Sequence, residues 1–426
     1  MISTNMKKFL FITTIVCIVC SCNFSAQQSG EKPRYDSYSG LVMAGYQGWF
    51  AAAGDESNRG WYHYGFRGDT ISSVDFWPDM TEYTKKYVSP FKMADGSVAY
   101  LYSAYDEESV DLHFRWMKEY GIDGVFMQRF VTETKREAGK RHFNKVLENA
   151  LKAARKYDRA IGVMYDLSGC QPDDMAVLEE DWRELLKLFD LTNLDTNPTY
   201  LWHNGKPLLT IWGVGFNDNR RYSIADAHQL IGRLKKEHNI SIMLGVPYYW
   251  RTLERDTENN PLLHTLIKEY VDIVMPWSVG RYNNSNYRLI AAELLGDFKW
   301  CGDNKVDYVP VVFPGFTWGN LRRNPSLYNQ IPRLKGDFLW HQVVGAKAAG
   351  AQALYAAMFD EIDEGTAFYK CAVEGQLPVF GKERAERRFV GIEEGLSSDY
   401  YLWLLGEAAN WIKGGQGYKV TKPERK

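Results

Sequence analysis

The sequence predicts a (β/α)8 barrel of the TIM class, folded as one large domain with a long insertion after its first strand. Three observations predict it. Eight short runs along the chain are near-continuously apolar, as parallel strands covered on both faces are. Between each run and the next lies a stretch with amphipathic helical spacing. No Gly-rich phosphate loop accompanies the front strands, and an open doubly wound sheet, the main competing architecture, seldom reaches eight strands without one.

The first run is "LVMAGYQGW" at 41–49. A long stretch follows, containing "GWYHYGFRGDTISSVDFWPDM" and the strand-like "SVAYLYSA", before the helical pattern "EESVDLHFRWMKEYG" stops at Gly121, a natural C′ residue. "DGVFMQ" (123–128) leads into "HFNKVLENALKAARKYD", where Phe143, Val146, Leu147, Ala150, Leu151 and Ala154 share one face. "AIGVMYDL" (160–167) precedes "DDMAVLEEDWRELLKLF", and "PLLTIWGVG" (207–215) precedes "SIADAHQLIGRLKKEH". "SIMLGVPYYW" (241–250) is followed by "NPLLHTLIKEY", and "DIVMPWSVG" (272–280) by "NYRLIAAELLGDF". "DYVPVVFPGF" (307–316) and "DFLWHQVVGAKAAG" form the seventh unit; "AQALYAAMF" (351–359) and "SSDYYLWLLGEAANWIKGG" form the eighth.

The 426 residues carry 51 Lys and Arg against 53 Asp and Glu, a net charge of −2, so no basic face for nucleic acid is expected. Aromatics make up 15% of the chain, with 14 Trp and 27 Tyr. Their broad apolar faces and polar handles suit sugar rings as well as a large core.

The start, "MISTNMKKFLFITTIVCIVCSC", reads as a leader (1–22). Lys7 and Lys8 form a positive region, and the apolar stretch from Phe9 to Cys20 is short for a membrane span. "VCSC" resembles a bacterial lipobox in which Cys22 is lipidated after cleavage; a plain cleaved leader is the alternative. Residues 23–37 read as a polar tether, and 38–426 as the barrel domain. With Asn rather than Asp after Cys22, the expected location is the cell envelope, lipid-anchored at the outer membrane. Cys170, Cys301 and Cys371 are too few for a disulfide framework, though one pair remains open. With the leader cysteines set aside, no CxxC or HExxH spacing is present, so no metal or cofactor is expected.

Catalytic and binding residues of such barrels stand at the C-terminal ends of the strands. Those ends carry Tyr46, Gln47 and Trp49; Gln128 and Arg129; Tyr165 and Asp166; Trp212; Tyr248, Tyr249, Trp250 and Arg251; Trp277 and Arg281; Phe316 and Trp318. Core packing accounts for any single aromatic equally well. As a set they suit stacking on sugars and hydrogen bonding to hydroxyls, with Tyr46, Trp49, Gln128, Asp166, Trp212, Tyr248, Trp250, Arg251, Trp277, Arg281, Trp318 and Asp360 as the expected substrate-binding residues.

The last strand runs into "FDEIDEGT" (359–366), with Asp360, Glu361, Asp363 and Glu364 in five positions. Glu361 and Glu364 are three apart, so a helical turn there would point both the same way. Glycoside hydrolysis generally uses two carboxyl groups flanking the scissile bond. A solvated acidic loop capping the next helix is the bland alternative.

"FDEIDEGT" after "AQALYAAM" resembles the Asn-Glu-Trp-x-Glu-Gly-Thr motif that closes the last strand in family 99 glycoside hydrolases and the related family 71 enzymes; "GYQGWF", "KPLLTIWGVGF" and "FPGFTWGN" also look like that superfamily. The resemblance implies a (β/α)8 glycosidase of the endo-α-mannosidase type that retains anomeric configuration and needs no metal. It implies Glu361 as the base acting on the sugar's own 2-hydroxyl and Glu364 as the acid/base. The motif's Asn is Asp360 here and its Trp is Ile362, which puts the sugar and the linkage in doubt. Bacterial relatives are often labelled xylosidase/arabinosidase, so a pentose stays open. The expected function is therefore hydrolysis of oligo- or polysaccharide chains, and the alternative is a catalytically silent glycan-binding lipoprotein.

Overall fold

The computed structural model describes residues 32–414 and 420–425. The leader, the lipobox-like stretch with Cys22 and the first part of the tether lie outside the described residues. Each apolar run forms a strand: β1 Val42–Tyr46, β2 Gly124–Phe130, β3 Ala160–Asp166, β4 Lys206–Trp212, β5 Ser241–Pro247, β6 Ile273–Trp277 and β8 Leu354–Ala356. The seventh, β7, is two short pieces, Asp307–Tyr308 and Val311–Val312.

That break lies at Pro310, which has no amide hydrogen to give to a ladder. The two pieces pair with opposite neighbours. Asp307 and Tyr308 align with Ile273 and Val274 of β6, while Val311 and Val312 align with Tyr355 and Ala356 of β8. β8 in turn runs parallel to β1, with Met43 beside Tyr355. The remaining neighbours follow chain order from β1 to β6, all parallel, so the sheet closes on itself through β7.

The helices follow the sequence pattern as α1 Glu107–Tyr120, α2 Glu137–Tyr157, α3 Asp174–Leu188, α4 Ile224–His238, α5 Leu262–Tyr270, α6 Tyr287–Asn304, α7 Asp337–Ala348 and α8 Tyr400–Ile412. Gly121 closes α1 at φ 78°, its amide on the Met117 carbonyl. Ser223 and Asp226 form a reciprocal capping box at the start of α4.

Period-2 alternation sorts the buried residues into two layers. Met43, Phe126, Met164, Leu208, Met243, Met275 and Tyr355 form one cluster, the barrel interior. Their strand neighbours Val42, Ala44, Tyr46, Val125, Ile161, Tyr165, Leu209 and Val274 belong to a larger cluster between sheet and helices.

The insertion after β1 carries an antiparallel pair, Tyr87–Met93 with Val98–Leu101. A third strand, Pro378–Val379, joins it from the stretch after β8, and isolated bridges tie Phe76 to Val390 and Pro78 to Cys371. Insertion and tail meet because β1 and β8 are neighbours in the sheet. The sequence pattern held no signal for this tail, whose stretch between β8 and α8 has little regular structure. Cys170, Cys301 and Cys371 are all free and buried. Among the described residues no helix is long and apolar enough to cross a membrane.

Candidate active site

Beyond β8 the chain folds back on itself. The Ala367 amide donates to the Glu361 carbonyl at 3.0 Å, the Phe368 amide donates to the Met358 carbonyl at 3.0 Å, and Ile362 to Gly365 form a turn rather than the expected helical turn. Gly365 sits at φ 64°, and a Cβ there would fall 2.2 Å from Thr317 Cγ2, so the position requires glycine. The Thr317 amide donates to the Glu364 carbonyl at 3.0 Å, and buried Arg333 donates to the carbonyls of Gly365 and Ala367 at 2.9 and 2.8 Å. This framework carries Glu361 and Glu364 into the wall of one cavity of about 260 Å³.

The ends of five further strands, with Met358, line the rest of that cavity. Gln47 and Trp49 come from the exit of β1, Gln128 and Phe130 from β2, Met164, Asp166 and Ser168 from β3, and Trp212 and Trp277 from β4 and β6. Trp49 stacks on Phe130 at 5.1 Å, and Trp212 meets Trp277 edge-on at 5.4 Å. Gln128 donates to the Tyr355 hydroxyl at 3.1 Å, and Asp166 accepts the Ser168 amide at 2.6 Å while burial raises its carboxyl.

The two glutamates differ in what holds them. Glu361 accepts from Gln47 Nε2 on one oxygen and from Thr366 Oγ1 on the other, each at 2.6 Å. Burial and then the Asp363 charge raise its carboxyl, and the two donors favour its ionised form. Glu364 is half-buried, and among the described residues none donates a hydrogen bond to its carboxylate. Burial, then Glu361 and Asp363, push it well up, opposed only by Arg322. Of the pair, Glu361 therefore ionises first and Glu364 keeps its proton longer.

Seven of the expected residues thus share the cavity: Trp49, Gln128, Asp166, Trp212, Trp277, Glu361 and Glu364. The others do not line it. Tyr46 is fully buried behind the sheet, donating to or accepting from His113 Nδ1 at 2.8 Å. Tyr248 is buried above β5 beside Tyr282, at 5.7 Å. Trp250 is wholly buried against Trp300, with ring centres 4.8 Å apart, because the chain leaving β5 turns it towards α6. Arg251 is committed to Asp297 and Glu293, and Arg281 to Asp256. Trp318 packs on Phe316 at 5.0 Å with Arg322 over its face.

Asp360 is a correction of a different kind. It is fully buried, and its two oxygens accept the amides of Gln47 at 2.7 Å and Gly48 at 2.9 Å. An Asn amide could accept only one of these, so the carboxylate is what fastens the exit of β1 to that of β8. Ile362 is fully buried in the hydrophobic core and does not line the cavity.

Sequence reasoning also missed His63, deep in the insertion. Its ring lies flat on Trp49, 3.8 Å between centres and 6° between planes. It missed Ser168, Met358 and Thr366 as well; the fold-back that brings Thr366 to Glu361 has no local signature. Among the described residues no group of three or more His, Cys, Asp or Glu is arranged to hold a metal ion.

A search of solved structures finds this architecture in the GH99 endo-alpha-mannosidase from Bacteroides thetaiotaomicron. One structure of it superposes with a TM-score of 0.60 at 15% identity, covering 89% of this chain and 99% of that one. Another, in complex with bis-tris-propane, gives 0.59 at 15% identity over 88% and 98%. A glycoside hydrolase-like protein gives 0.50 at 14% identity over 81% and 97%. No family model matches the chain, and no curated protein does. The likeness is one of fold, and it confirms the (β/α)8 class.

Proposed function

We propose that the protein is a glycoside hydrolase in which Glu364 is the general acid and Glu361 the base or nucleophile. The observation that carries this is the asymmetry of two glutamates in one cavity: Glu361 holds two donors that favour its charge, and among the described residues Glu364 holds none. An acid and a base at one pH require carboxyls whose environments separate them. Glu364 would protonate the leaving glycosidic oxygen. Glu361 would take the proton of the sugar's 2-hydroxyl, as the resemblance to the family 99 motif implies, or attack the anomeric carbon itself.

The walls fit a sugar. Trp212 and Trp277 offer apolar ring surface for the apolar side of a sugar, while Gln128, Asp166 and Ser168 offer hydrogen-bond partners for hydroxyls. The similarity of fold to an endo-alpha-mannosidase supports a glycan substrate. The lipobox-like stretch before Cys22 places the enzyme, in this proposal, on a lipid anchor at the cell envelope. The two departures from the motif lend no weight to a silent binding protein, since neither Asp360 nor Ile362 lines the cavity.

The test is incubation of the chain and its Glu361→Gln/Glu364→Gln double variant with α-mannans, xylans, arabinans and N-glycans. Release of sugar by the parent alone supports a glycosidase, and product length separates endo from exo action. Retardation of both proteins by one glycan in an affinity gel, with no product from either, would replace the enzyme by a binding protein.

A further inference from the structure

Between the two glutamates stands a third carboxylate that takes no part in the cavity wall. Asp363 is 3% exposed, and its Oδ1 is buried without a hydrogen-bond partner. Its Oδ2 lies 3.7 Å from His63 Nδ1, beyond hydrogen-bond length. The neighbouring acids are well supplied by comparison. Asp360 accepts two amides and Glu361 two side-chain donors, while Asp75 accepts from the Thr317 hydroxyl and the amides of Gly319 and Asn320. A buried carboxylate oxygen left bare costs free energy, so its retention in a turn this tightly tied calls for a reason.

We propose that Asp363 is a positioning residue for the catalytic pair: its charge, shut away from solvent and matched by no cation, keeps the proton on Glu364. The inference rests on the roles given above to Glu361 and Glu364.

The surroundings bear on it from every side. On its own segment stand Asp360, Glu361 and Glu364. From the insertion come Asp75, His63 and, beyond His63, Arg59 in an ion pair with Glu133. From the stretch after β7 comes Arg322, which opposes the effect on Glu364. No Lys or Arg pairs with Asp363 among the described residues. His63 is the one base beside it, and burial together with Arg59 lowers that imidazole to about 3, so it stays neutral and leaves the carboxylate uncompensated. Burial raises the Asp363 carboxyl to about 7, with the amides of Asp363 and Glu364 opposing the rise, so its charge acts on Glu364 above about that pH. Like charges disfavour one another's ionisation, and Glu364, with no donor of its own, is the member that keeps the proton.

The experiment titrates the full chain labelled with carboxyl-13C glutamate by NMR, Glu364 being assigned by the signal lost in Glu364→Gln. In the parent its midpoint should lie well above the ordinary glutamate value of about 4.3. In Asp363→Asn it should fall by about one pH unit or more, and Asp363→Glu should restore it. The alkaline limb of kcat/KM should move down with it, with KM nearly constant. An unchanged midpoint in folded Asp363→Asn overturns the proposal. If that variant does not fold, the parent decides: an ordinary midpoint in a single-step curve overturns the proposal, and a raised midpoint in a curve with more than one step supports it. A shift as expected with no glycan hydrolysed would keep Asp363 in this role towards Glu364 and remove the glycosidase reading instead.

Discussion

Gln47 donates from Nε2 to Oε1 of Glu361 at 2.6 Å, so a residue at the exit of β1 holds the carboxylate that the exit of β8 supplies. The Gln47 amide is meanwhile held by Asp360 at 2.7 Å. One residue thus receives support from the acidic segment and returns it to the base. A hydrogen bond to a charged group contributes ~1.5–3 kcal/mol. In Gln47→Leu, kcat/KM should therefore fall about 10- to 100-fold. The loss of a donor to the charged form raises the Glu361 carboxyl further, so the acidic limb of the rate profile should move to higher pH. A pH–rate series on parent and variant measures both effects.

Glu364 should behave as a removable acid. A positioned general acid contributes about 10²–10⁴-fold in rate. Glu364→Gln keeps the shape and removes the proton, and no hydrogen bond of the fold depends on its carboxylate. Hydrolysis should drop by that factor while glycan affinity, measured by calorimetry, stays within a few-fold of the parent. Full turnover in this variant would sink the assignment.

Two tryptophans leaving adjacent strands should separate binding from stability. Trp212 lines the cavity at the end of β4, and Trp250 is wholly buried beyond β5. An aromatic contact is worth ~0.5–1.5 kcal/mol beyond area, so Trp212→Ala should weaken glycan binding roughly three- to tenfold. Trp250→Ala empties a site against Trp300 and should cost ~3–5 kcal/mol of stability with no change in affinity. Denaturant melts and binding isotherms on the two variants distinguish them.

The barrel was legible because each strand is apolar on both faces and each helix on one, patterns that local sequence carries in full. The mouth was legible only in part. Proximity to a strand end does not say which way a side chain faces, but alternation does. Gln128 follows Phe126 into the interior, which sends Arg129 outward to Asp181 at 2.6 Å on the helical side. Asp166 and Trp212 follow Met164 and Leu208 by even steps, whereas Tyr46 follows Val42 and Ala44 to the outer layer. Counting by twos from each strand's interior residues would have moved Tyr46 out of the site. No such count finds Trp250 or Arg251, which lie past the strand where its period ends. Asp360 looked functional because acids at a strand end usually face solvent; here two backbone amides from β1 explain it. The His63 and Asp363 arrangement joins segments three hundred residues apart and has no trace in either.

The acidic segment should also mark the pH dependence of stability. Burial raises Asp360 and Asp363 to about 7 and Asp75 to about 6, each above the unfolded aspartate value of about 3.9. Between those limits the native state binds more protons than the unfolded chain, so stability falls as pH rises through about 4 to 8. Three imidazoles act in the opposite sense. Burial lowers His63 and His113 to about 3 and His142 to about 4, so the unfolded chain takes protons below about 6.5 that the native state refuses. Their contribution is complete above pH ~6.5, where the carboxylates alone remain. The melting temperature should therefore drop between pH 6.5 and 8, and drop less in Asp363→Asn, which removes one of the carboxylates responsible. Scanning calorimetry at those two pH values decides it: a flat or rising melting temperature would mean that these acids are not buried together as the fold places them.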